Sequence, residues 1–144
     1  MSSTLTAHSS TAVATAPVGP APLDQQALRR AFGHFPSGLV AVAAQGPHGP
    51  VGLVASSFTS VSMDPPLVSV NIGLSSTTLP ELRRYSSWGI SVLADRQDAL
   101  ADLLRRPAAE RFAGIGWRAT ADGAVHLDEA AAGFTTEPVQ WVPA

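Results

Sequence analysis

Residues 57–68 read Ser57-Phe58-Thr59-Ser60-Val61-Ser62-Met63-Asp64-Pro65-Pro66-Leu67-Val68, which sets a row of hydroxyls beside a rigid corner. The run opens as a hydroxyl-rich strand end, breaks at an acid followed by two prolines, and resumes as an apolar strand. Hydroxyls and free backbone N–H groups at such an edge supply the convergent donors that a phosphate or the polar rim of a planar ring requires. Proline lacks an N–H and fixes its own φ, so a Pro-Pro pair cannot lie inside a central strand and marks a corner. The segment is a candidate ligand-binding edge. A serine-rich connector between two strands is the competing reading.

A second hydroxyl cluster, Ser75-Ser76-Thr77-Thr78, runs into Leu79-Pro80-Glu81-Leu82-Arg83-Arg84. Pro in the first turn and Arg in the last are helix signals, because the first N–H groups have no intrahelical partner and the last carbonyls carry partial negative charge. Donors converging ahead of a helix suit an anion, although Ser76 or Thr77 acting only as a helix cap explains the same residues. Arg83 and Arg84 either reach such an anion or complement the helix end. The remaining chemistry is sparse. His34, His48 and His126 are isolated, with no pair at metal-ligand spacing, so no metal site is expected. His34 flanks the Phe35 loop, His48 falls in a solvated turn, and His126 is expected on the exposed face of a short strand. Neither a catalytic triad nor a carboxylate pair stands out, and no catalytic residue is assigned. With Cys absent, disulfides, thiolate ligands and Cys nucleophiles are excluded. No Gly-x-Gly-x-x-Gly follows a strand and no Gly-Lys-Ser/Thr occurs, which argues against a nucleotide held by the usual α/β loops.

The elements that must position these residues follow from periodicity and punctuation. Asp24 caps a helix from Gln25 to about Phe32, with Leu28, Ala31 and Phe32 on one face. Gly33, Pro36 and Gly38 end it. Leu39–Ala44 is an apolar strand, Gln45–Pro50 a hairpin turn, and Val51–Phe58 the returning strand. Val61–Met63 pairs briefly before the proline corner, and Leu67–Ile72 is a strand apolar on both faces. A helix follows Thr78, then a strand over Trp88–Leu93, then a helix from Arg96 to about Arg105 capped by Asp95, its Leu100, Leu103 and Leu104 facing inward. Pro107–Phe112 reads as a short turn or helix; 117–120, 125–127 and 132–142 read as strands. Strands joined mostly by tight turns, with short helical inserts, predict a mainly β barrel or sandwich with mostly antiparallel pairing.

Composition sets the class. The chain has 144 residues, 45% apolar and 14% charged, with a net charge of −2, which suits one domain with a real core. Every basic residue except histidine is Arg. That balance offers no electrostatic case for nucleic acid or an anionic membrane, and no window approaches the roughly 18 apolar residues of a membrane helix. Residues 1–22 are Ser, Thr, Ala, Pro and Val-rich without a basic start or apolar core, so they read as a disordered tail ahead of a domain at 23–144, and the protein is expected in the cytoplasm. The high apolar share also suggests a face buried against another subunit.

Taken in order, several blocks resemble the flavin reductase-like family, the FMN-binding split β-barrels. They are Phe35-Pro36-Ser37-Gly38-Leu39-Val40-Ala41-Val42, Gly52 through Val68, Ser75-Ser76-Thr77, Ile90 through Gln97, and Arg111-Phe112-Ala113-Gly114. The resemblance covers about Gln26 to the C-terminus. It implies a homodimer that binds FMN or FAD near the subunit interface, reduces it with NAD(P)H, and supplies a partner flavin-dependent monooxygenase. Position by position, it places Phe35, Pro36, Ser37 and Gly38 near the isoalloxazine ring. Val54, Ala55, Ser56, Ser57 and Phe58 fall at the ring edge and ribityl chain, and Ser75, Ser76 and Thr77 near the phosphate. Hydride transfer to a flavin asks for ring stacking more than acid–base groups, so the lack of a triad fits. The chain departs from the pattern at Val54, where the family often carries Thr, and after Trp141-Val142-Pro143-Ala144, where a Gly-Asp-His turn and further strands usually follow. The expected fold is therefore a split barrel whose C-terminal strands are missing. The function expected second is a flavin-binding homologue without reductase activity: a carrier, a partner subunit or a repurposed non-redox scaffold.

Overall fold

The structure, a computed structural model, describes residues 2–7 and 24–143. Its centre is the run Val40-Ala41-Val42-Ala43-Ala44, every residue of which is buried. A strand covered on both faces reads as a continuous apolar run rather than an alternation. Strands are numbered in chain order, β1 being Ser2–Ala7. This central strand, β2 (Val40–Gly46), pairs antiparallel with β3 (Gly49–Ala55) on one side and with β6 (Trp88–Val92) on the other. Gly49 closes the β2–β3 turn at φ 124°, a conformation that costs other residues a Cβ clash.

The proline corner lies where the sequence places it. β4 (Thr59–Met63) turns at Asp64-Pro65 into β5 (Pro66–Ile72), with Pro66 as the first residue of its strand. β9 (Ala132–Pro143) pairs antiparallel with β6 over Ala132–Thr136 and then, from Glu137, runs parallel to β1. β1 lies between β9 and β5, parallel to both, which gives the order β3-β2-β6-β9-β1-β5-β4. Within the segment expected as a disordered tail, Ser2–Ala7 is thus a sheet strand, its backbone groups taken up by two neighbours. Residues 8–23, and with them the expected domain boundary at 22/23, lie outside the described residues.

The core lies mainly where β2, β5 and β6 meet Leu79 and Leu82 of α2 (Leu79–Leu82), with Val42, Val70, Leu82, Trp88 and Ile90 fully enclosed. A second cluster joins Ala41 to Leu104, Ile115 and Leu127, beneath a hairpin of β7 (Trp117–Ala119) and β8 (Val125–Leu127). Two helical expectations change. α1 (Gln25–Gly33) is capped by Asp24 as expected, its carboxylate accepting from Gln26 N and Ala27 N at 3.0 and 3.3 Å. Its apolar face, however, is not buried: Phe32 is 58% exposed and no residue of the helix is enclosed. The helix expected from Arg96 begins with a separate single turn, Asp95–Gln97, before α3 (Asp98–Leu103). There Gln97 Oε1, not Asp95, accepts from Ala94 N at 2.8 Å, while Gln97 Nε2 donates to Asp128 O at 2.9 Å.

His126 also departs from expectation. It is buried at 8% exposure, with Nε2 3.0 Å from Thr135 Oγ1. All of β8 is buried, though β7 is largely exposed, and the face turned from Val125 and Leu127 meets β9 instead of water. Burial first, and the nearby Arg118 second, hold its pKa below the ordinary 6.5, against a weaker pull from Asp122. Below 6.5 the unfolded chain therefore takes up a proton that the folded state resists, and stability falls as pH drops from 6.5 through the folded value. Above 6.5 both states are neutral and the contribution vanishes. Asp122 is held below its ordinary 3.8 by hydrogen bonds from the hydroxyls of Thr120 and Ser87, so its loss of stability begins in a separate, more acid window. In a profile of Tm against pH, His126→Gln should flatten the decline just below neutrality. An unchanged decline would refute the assignment.

Candidate ligand-binding site

Strand pairing gathers three segments that are distant in sequence. Val40, the first residue of β2, lies opposite Ala55, the last of β3. The Phe35–Gly38 loop therefore enters the sheet at the end where Ser56–Phe58 leaves it. Ser57 Oγ then accepts from Asn71 N at 2.9 Å and donates to Asn71 O at 2.8 Å, latching this corner to the end of β5. Just beyond β5, Ser76 N donates to Gly73 O at 2.9 Å, so the chain turns tightly into Ser75–Thr77. The Phe35–Gly38 loop, the Ser56–Phe58 corner and the end of β5 that leads to Ser75–Thr77 thus share one end of the sheet.

Their availability differs. Ser57's hydroxyl proton is committed to Asn71, so its part is to position the corner. Ser76 Oγ accepts from Leu79 N at 3.2 Å, which bears out the capping role, and its own proton is left to donate. Ser56, Ser75 and Thr77 are exposed at this end, with no side-chain hydrogen bond among the described residues. Val54 and Ala55 are half-buried, and Phe35 is 77% exposed beside exposed Pro36, Ser37 and Gly38. Phe58 stacks on Phe134 with ring centres 5.6 Å apart. Single cavities divide the set: Ser37 lines one of about 240 Å³ with Leu93 and Asp95, while Phe58 lines an apolar one of about 300 Å³ with Met63, Leu67 and Phe134.

The geometry bears on two expectations about charge. α2 is a single turn, so donors near Ser75–Thr77 act as individual N–H and O–H groups without a long helix dipole behind them. Arg83 lies over the Trp141 ring, 4.6 Å from its centre, and is therefore engaged by β9. Among the described residues, no group of three His, Asp or Glu side chains could hold a metal ion.

Three positioning residues escaped sequence reasoning. Asn71 sits in an apolar strand and acts through its backbone. Thr78 is 4% exposed, and its hydroxyl accepts from Arg111 Nη1 at 2.6 Å. Arg111 stands in a quoted motif, but only the fold shows what it holds.

Residues 32–144 match the flavin reductase like domain. A relative from Rhizobium meliloti (strain 1021) named "Probable flavin reductase" is 39% identical over 112 residues, which are 77% of this chain and 36% of the relative. The stachydrine N-demethylase reductase subunit of the same organism is 36% identical over 112 residues, 77% of this chain and 49% of that protein. The chain thus spans a third to a half of these relatives' length. Among solved structures, the NADH:FAD oxidoreductase of Streptomyces globisporus C-1027, in complex with NAD and FAD fragments, superposes with a TM-score of 0.71 at 32% identity, covering 80% of this chain and 72% of its own.

Proposed function

Because this chain belongs to the flavin reductase like domain family, we propose that it binds FMN or FAD at the shared end of β2, β3 and β5 and reduces it with NADH or NADPH. The observation offered in support is the Ser57–Asn71 latch, which ties the corner after β3 to the end of β5, the strand that leads into Ser75–Thr77. The donor chemistry fits the group. Phe35–Gly38, Val54 and Ala55 offer apolar surface to a ring face. Ser56 and the backbone through Phe58 offer donors to its carbonyl rim, and Ser75, Ser76 and Thr77 offer hydroxyls and N–H groups to a phosphate. The bound flavin supplies the hydride-accepting ring. The protein's part is to hold and orient it where a nicotinamide can stack, work that needs no acid–base residue.

The partner follows from the same reading. A relative from Acinetobacter baylyi named "Flavin-dependent trigonelline monooxygenase, reductase component", 37% identical over 91 residues, supports a flavin-dependent monooxygenase as the recipient of reduced flavin. A homodimer is supported by large apolar side chains left open on β4, Val61 at 55% and Met63 at 88% exposure. Among the described residues no helix is long and apolar enough to cross a membrane; a cytoplasmic location belongs to the same proposal, resting on the proposed use of NADH or NADPH.

The test is a visible spectrum of the purified protein and the NADH absorbance band followed with and without added FMN or FAD. Flavin-dependent NADH loss is the expected result. Tight binding of oxidised FMN with NADH unconsumed would replace the reductase by a flavin carrier or non-redox scaffold. An absence of flavin binding would overturn the reading altogether.

A further inference from the structure

We infer that Arg111 is a positioning residue that gives the site its preference for a phosphorylated flavin, by fixing the Ser75–Thr78 segment against β3. The inference rests on the flavin reading above. Arg111 Nη1 donates to Thr78 Oγ1 at 2.6 Å and to Gly52 O at 2.9 Å, and Nε donates to Arg106 O at 2.7 Å. One half-buried guanidinium thus ties three separate stretches of chain together with charge-assisted bonds held in a rigid planar fork.

Each anchor is stiff. Gly52 is packed so closely that a Cβ there would lie 2.6 Å from Val42 O and 2.8 Å from Phe112 Cζ, so β3 cannot shift locally. Phe112 seats its ring on the same glycine whose carbonyl Arg111 engages. On the other side, Thr78 is the N-cap residue of α2, but its side chain makes no cap bond; its hydroxyl goes to Arg111 instead. The capping is done by Ser76. The segment carrying the phosphate donors is therefore held twice, along the chain by Ser76–Leu79 and sideways by Thr78–Arg111. Removing the sideways bond strands a buried hydroxyl and a carbonyl and frees the segment to drift from β3. Donors that must converge on one anion lose their advantage when their spacing is no longer set.

The experiment compares FMN with riboflavin, which has the same ring and no phosphate, by fluorescence titration of wild-type, Arg111→Met, Arg111→Lys and Thr78→Val proteins. Thermal unfolding checks that each is folded. Both Arg111→Met and Thr78→Val are expected to weaken FMN about tenfold while leaving riboflavin within about twofold, and the double variant should be little worse than either single one. Arg111→Lys should retain part of the preference. Equal loss of both flavins would make Arg111 a general structural residue and overturn the inference. A large effect of Arg111→Met with none from Thr78→Val would overturn it in favour of direct phosphate contact. Wild-type preference kept intact in Arg111→Met would overturn it while sparing the flavin site. Wild-type protein that binds FMN and riboflavin alike would overturn the phosphate reading and this inference together.

Discussion

Gly89→Ala is expected to abolish the stable folded state, or to lower its stability by at least about 4 kcal/mol. A Cβ at this position would fall onto Val125 O and lie 2.5 Å from Val125 C and 2.9 Å from Val125 N. The obstacle is backbone, not the end of a side chain that can rotate away. Nor can β8 retreat. Leu127 N donates to Ser91 Oγ at 2.9 Å, and Gln45 N to Gly123 O at 2.8 Å, so the hairpin is pinned on both sides of the clash. Ordinary overpacking costs about 1–3 kcal/mol because side chains give way; here the sheet itself would have to part. Gly33→Ala, with nothing within 4 Å of the added atom, serves as the control. Soluble yield and thermal unfolding decide the matter. A Gly89→Ala protein melting close to wild type would mean that β8 does not rest on β6 as described.

Trp88→Ala should cost about 3–5 kcal/mol, measured as a lower urea midpoint with the slope retained. Trp88 is wholly enclosed at 0% exposure, and its indole Nε1 donates to Tyr85 O at 2.9 Å. Its ring lies 5.7 Å from that of Trp141 at 59°, and its carbonyl accepts from Thr136 Oγ1 at 3.1 Å. Truncation therefore opens a large cavity at the point where β6 and β9 meet the core, and leaves the Tyr85 carbonyl without its partner. Trp88→Phe keeps most of the volume and loses the indole hydrogen bond, so its cost should fall to about 1–2 kcal/mol. Similar losses for the two variants would show that packing contributes little at this position.

Local chemistry alone determined much of this protein. The apolar run Leu39–Ala44, set between Gly38 and the Gln45–Pro50 turn, reads as a strand. Pro65-Pro66 could only be a corner, because neither residue can donate to a ladder. Ser76 or Thr77 reads as a cap from its place before Leu79, and the structure gives that role to Ser76. The resemblance carried by the Ser57–Val68 block and its neighbours named the family, and with it the positions of the expected flavin contacts. Tertiary structure decided what depends on partners far along the chain. β1 is a strand because β5 and β9 flank it, and nothing in Ser2–Ala7 announces them. His126 alternates with Val125 and Leu127 as an exposed residue would, yet β9 covers its face. Arg111 carries no local mark of its task, since Gly52 and Thr78 lie 59 and 33 residues away. Periodicity and capping report interactions between residues a few positions apart, whereas burial and anchoring arise from contacts that exist only once the sheet has closed over them.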